Sequence, residues 1–140
     1  MNRLVATVVL AAVAFLPSCA GSRKPVYPVT GHVYLKQKPV AGATVIFHPV
    51  HAAVNDTSNP VGQVAADGSF KLTTYTNGDG APEGDYVVTI EWRAPKRNPL
   101  EANPVDRLRG RYSDPKTSTL RARVDRQTVE LQPIDLGARR

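Results

Sequence analysis

The sequence holds a single cysteine, Cys19, so no intrachain disulfide can form and no cysteine-based metal cluster can be built. Its longest stretch of mainly apolar residues, Leu4 to Leu16, has thirteen residues with Thr7 its one polar member. A helix crossing a bilayer needs about 20. No segment repeats its apolar residues at the 3.6-residue period of a helix, and no internal repeat or low-complexity tract occurs. These absences exclude a membrane bundle, a disulfide scaffold, a coiled coil and a zinc ribbon. Charge is unbalanced, with 18 Lys or Arg against 12 Asp or Glu.

What is present is punctuation. Twelve Pro and ten Gly in 140 residues leave little room for long helices and favour short strands joined by turns. The length suits one domain. Period-two alternation recurs in seven runs, near 27–35, 43–48, 61–65, 69–73, 85–92, 119–124 and 128–136. Lys38-Pro39, Ala41-Gly42, Asp67-Gly68 and Asn77 to Gly80 supply turn signals between them, and Asp67-Gly68 predicts a tight hairpin. The last run changes parity, because Val129 and Leu131 point one way while Ile134 and Leu136 fall on the other. A bulge near Gln132-Pro133 restores a common face. The expected fold is an all-β, seven-stranded antiparallel Greek-key sandwich over 27–140. Its expected core is Val33, Val45, Phe47, Phe70, Leu72, Tyr86, Val88, Ile90, Leu120 and Val124.

The N-terminus reads as an address. Arg3 precedes the apolar run, which ends in Leu16-Pro17-Ser18-Cys19. This resembles the bacterial lipobox, with a leucine three residues before the cysteine and a small residue just before it. Pro17 stands where that pattern usually has a small or β-branched residue. The resemblance implies a lipoprotein signal peptide over 1–18, lipid attachment at Cys19, a tether over 19–26, and a protein exported and anchored in the cell membrane or outer membrane. Arg23 and Lys24 would then lie near anionic headgroups.

Past the tether the motifs carry a second resemblance. Gly31-His32-Val33, the segment Lys38 to Val45, the hairpin Ala66-Asp67-Gly68-Ser69-Phe70 and the strand Gly84 to Val88 follow one another in order. Together they resemble the carboxypeptidase-regulatory-like, transthyretin-like β-sandwich domain. Tyr112 to Leu120 is similar to a "Y-x-D-P-x-T-S-x-L" stretch of small planctomycete-type lipoproteins of that kind. Ala65 replaces the first acid of the usual hairpin motif. The resemblance implies the fold over about 28–136 and says little of function, because the fold serves as an accessory or binding module in many settings.

Candidate chemistry is sparse. His48 and His51 fall on opposite faces of a strand, and the resembled fold puts His32 in the other sheet, so no metal ligand set is expected. Asn77, Asp79, Glu83 and Asp85 make an acidic loop, but one without the regular carboxylate series of a calcium loop. No G-x-S-x-G occurs, and Ser113-Asp114 lies in a turn. Enzymatic transthyretin-like relatives end in Tyr-Arg-Gly-Ser, whereas this chain ends in Leu136-Gly137-Ala138-Arg139-Arg140. No catalytic residue, metal or cofactor is expected.

The one anomaly is 93–126, with ten Lys or Arg against four acids. Its first part, near 93–116, is a long basic, proline-rich loop. Arg107, Arg109 and Arg111 are the candidate ligand surface. No aromatic ladder interleaves the charges, and export excludes nucleic acid as a partner. The expectation is a non-catalytic cell-envelope lipoprotein, a structural or binding module. Its partners are a membrane, through the lipid, and an acidic glycan or envelope protein. The second reading is a carbohydrate-binding or protein-adaptor domain using the basic 93–126 segment.

Overall fold

Alternation along the chain becomes strand in the computed structural model, which describes residues 23–52 and 58–137. The expected signal segment, Cys19 and the expected tether through Ser22 lie outside the described residues. In chain order the strands are β1 (Val26–Tyr27), β2 (Val29–Leu35), β3 (Lys38–Pro39), β4 (Thr44–Pro49), β5 (Val61–Gln63), β6 (Ser69–Lys71), β7 (Ala81–Pro82), β8 (Gly84–Glu91), β9 (Arg121–Val124), β10 (Val129–Glu130) and β11 (Ile134–Asp135). The described residues form no helix, and so none long and apolar enough to cross a membrane. The molecule is all-β.

Two main sheets hold the strands. One has β2 at its centre, flanked by β3 and β6 on antiparallel ladders and by β10 and β11 on parallel ones. The other runs β5-β4-β8-β9 and is antiparallel throughout. A short extra ladder joins β1 to β7. The expectation of a wholly antiparallel sandwich is therefore corrected: the chain returns to β2 from a distance and lies parallel to it. Strand pairing also begins at Val26, inside the expected tether.

Inward residues of both sheets share one core, including Val29, Val33, Val45, Phe47, Leu72, Val88, Ile90 and Val124. Nine of the ten expected core positions are buried, and Leu120 is only half-buried. Tyr86 is buried as well, and its hydroxyl donates to the Pro82 carbonyl at 2.7 Å.

The two sheets meet at one side. Ala65 N–H donates to the Ser69 carbonyl at 2.7 Å, closing the Asp67-Gly68 hairpin, and Gly68 adopts φ +90°. Its two arms then part, β5 to one sheet and β6 to the other, still stitched by the Val61–Thr73 bridge. Phe70 plugs this corner. Its ring lies where a Cβ on Gly31 would sit, 2.8 Å away, and 3.0 Å from one on Gly62.

The parity break is a one-residue register shift. Val129 pairs with Val29, but Ile134 pairs with Val33, so one extra residue lies between β10 and β11. The first turn falls earlier than its sequence signal. Lys36 and Gln37 take φ +50° and +66°, making a two-residue hairpin turn, while Lys38 and Pro39 belong to β3.

Candidate functional site

Opposite the Phe70 corner the two sheets do not meet. There β9 ends one sheet and β10–β11 ends the other, and no ladder joins them among the described residues. A cleft of about 720 Å³ opens between them. Its floor comes from Tyr112, Leu120, Ala122, Leu131 and Ile134, and its rim carries Arg111, Arg121, Arg123 and Asp135. Leu120 and Ala122 share the inward parity of Val124, but no neighbouring strand covers them, which is why they stay half-exposed.

The edge of β9 has a definite hydrogen-bonding polarity. Val88 N–H donates to the Leu120 carbonyl at 3.0 Å, and the register pairs Tyr86 with Ala122 and Gly84 with Val124. In an antiparallel ladder the bonded pairs alternate, so Leu120, Ala122 and Val124 face β8. The backbone groups of Arg121 and Arg123 point outward, into the open side.

The long basic loop is built rather than loose. Asp106 is its hub. Its Oδ1 accepts from Trp92 N–H at 2.8 Å and Leu108 N–H at 3.1 Å, and its Oδ2 from Gly110 N–H at 2.9 Å. Burial alone would raise this carboxyl's pKa, but those three N–H groups and the Arg93 charge together hold it below the usual carboxylate range. Leu108 is buried nearby, and the backbones of Arg93 and Asp106 pair in an isolated antiparallel β-bridge. Ile90 N–H then donates to the Tyr112 carbonyl at 2.9 Å, and Ser118 Oγ donates to the Val88 carbonyl at 2.6 Å. Residues 112–120 thus lie along the free side of β8 and lead into β9. The remaining excursion is solvated, with Leu100 98% exposed.

The three candidate arginines have separate supports. The Arg107 guanidinium lies 5.0 Å from the Trp92 ring centre, and the Arg111 guanidinium 5.6 Å from that of Tyr112. Arg109 sits in an exposed turn at φ +55°. Of the three only Arg111 lines the cleft, so the structure does not gather them into one site. Arg121 and Arg123 line it with Arg111 instead. The signal for these was the 119–124 alternation, which put arginines on its exposed parity. What hid them was the need to know which strand ends the sheet.

The other candidates resolve into turns and pairs. Asp79 accepts from the backbone of Thr74, Tyr75 and Thr76, which outweighs its burial and lowers its pKa. Glu83 pairs with Arg126 at 2.6 Å, and Asp85 with Arg123 at 3.0 Å. The acids of that loop therefore point at cations and amides rather than at one centre. His32 lies on β2 and His48 on β4, in different sheets. His48 Nε2 lies 2.8 Å from Thr89 Oγ1, and burial lowers its pKa. Among the described residues no three His, Cys, Asp or Glu side chains converge as metal ligands would. No family model, curated protein or solved structure matches this chain.

Proposed function

We propose that this chain is a non-catalytic β-sandwich module of the cell envelope, transthyretin-like in topology, held at a membrane by an acylated Cys19, and that it binds anionic ligands along its open edge. The single observation behind the binding role is the cleft, with arginines on its rim and apolar side chains on its floor. Its volume of about 720 Å³ falls in the ordinary range for ligand sites.

The ligand classes that fit this reading are an acidic glycan and an envelope protein. The chain enters at β1, which pairs with β7 just before β8 starts. Strand β8 then runs eight residues, about 26 Å, to the end that carries Trp92 and Arg107. The proposed anchor at Cys19 precedes β1 in the chain, and Arg23 and Lys24 would serve anionic headgroups. The basic turn at 107–111 follows that far end, whereas Arg121 and Arg123 lie beside the first half of β8.

One experiment with two readouts tests this. Wild-type protein is expected in the membrane fraction, and Cys19→Ser protein in the soluble fraction or as uncleaved precursor. Purified wild-type protein should stay on immobilised alginate or polyglutamate at low salt and elute as salt shortens the screening length toward about 3 Å at 1 M. No retention at low salt, or retention indifferent to Arg111→Ala, Arg121→Ala and Arg123→Ala together, overturns the binding role.

A further inference from the structure

The open edge has the features of a sheet that lacks one strand. We infer that the cleft beside β9 receives an extended acidic peptide, which adds to β9 as a further strand. The inference rests on the reading of that edge as an anion-binding site, and it names the class of ligand.

Three observations carry it. First, the outward N–H and C=O groups of Arg121 and Arg123 form a free edge on a strand that is otherwise regularly paired. An incoming backbone satisfies such groups by continuing the ladder. A polysaccharide has no matching repeat of donors and acceptors. The facing edge cannot serve equally, because the extra residue between β10 and β11 interrupts it and Pro133 has no N–H.

Second, the two faces of an added strand would meet different surroundings. Side chains of one parity would enter the cleft against Leu120, Ala122, Leu131 and Ile134. Those of the other parity would lie beside Arg121 and Arg123. The matching peptide therefore alternates apolar with acidic residues.

Third, charge selects against the commonest unwanted occupant. A second copy of β9 would set arginine against arginine across the new ladder, and exposed charge on an edge strand is a standard defence against such pairing. An acidic strand turns that repulsion into attraction. Arg123 is not committed elsewhere by a strong bond, since its pairs with Asp85 and Asp125 are exposed. The Arg121 guanidinium donates through one nitrogen, to the Ser118 and Leu120 carbonyls.

The test is fluorescence anisotropy on the full chain in detergent, with a labelled peptide alternating valine and glutamate. Three controls accompany it. These are a block peptide of the same composition, the alternating peptide N-methylated on the amides of one edge, and an alginate oligosaccharide. The alternating peptide should bind most tightly. The block and N-methylated peptides should bind at least about tenfold more weakly. The double variant Arg121→Glu, Arg123→Glu, whose changes are exposed and whose fold is checked by circular dichroism, should lose the peptide by a similar factor. Equal binding of the block or N-methylated peptide, or full binding by the double variant, overturns the inference. Binding of alginate alone also overturns it while leaving the anion-binding reading standing. If no anion binds, both fall.

Discussion

Gly31 shows how one side chain's absence shapes the molecule. It sits mid-strand in β2, where glycine weakens a sheet, yet its partner across the ladder is Phe70. The phenyl ring fills the space a Cβ would need, 2.8 Å away. The same ring reaches the site of Gly62 on the other sheet, so one aromatic and two glycines form the closed corner. Gly31→Ala should displace the ring and cost about 1–3 kcal/mol, read as a lower urea midpoint with an unchanged slope. An unchanged midpoint would mean that the ring moves aside freely. The sequence marked Gly31 and Phe70 as motif residues of a resembled fold, and alternation put Phe70 inside. Their contact was not legible, because it depends on which strands pair across a distance.

Among the elements, long regular strands were the most legible. Alternation over β2, β4 and β8 named six of their buried residues, Val33, Val45, Phe47, Tyr86, Val88 and Ile90, since a half-buried sheet forces period two. The shift between β10 and β11 was legible too, as a parity break around a proline. Direction was not, because hydrophobic pattern is the same for parallel and antiparallel neighbours. The Lys36-Gln37 turn escaped for another reason: neither residue is a usual choice at positive φ. The basic loop was visible as charge, but its order comes from one acid. Asp106→Ala should leave three N–H groups without their acceptor, costing about 1–3 kcal/mol and loosening 106–112 first. Amide exchange would locate the loss, and unaltered protection at Leu108 and Gly110 would contradict it. Acid should act on the same hub. A carboxyl with a lowered folded pKa contributes stability above its unfolded value of about 3.9, lost as pH falls through the folded value. Half-buried His48 adds an earlier decline below about 6.5, because its lowered pKa makes the unfolded chain the better proton binder.

At the scale of the whole molecule, the account is of two sheets joined at one side and open at the other. The Val61–Thr73 bridge and Phe70 close the first side. The second side carries a cleft with an apolar floor and an arginine rim. The candidate site was half legible in the sequence. Residues 93–126 stood out by charge and included Arg121 and Arg123, but Arg107, Arg109 and Arg111 drew attention because they cluster in sequence. Only Arg111 reaches the cleft, since the turn at 107–110 serves Asp106 and Trp92 instead. The open edge itself is most directly tested by residue-resolved amide exchange on the free protein. Ala122 and Val124, facing β8, should exchange slowly, while Arg121 and Arg123, facing the cleft, should exchange fast and slow down when the alternating acidic peptide is added. Strong protection of Arg121 and Arg123 in the free protein would show that something already covers β9, and the open edge would not exist.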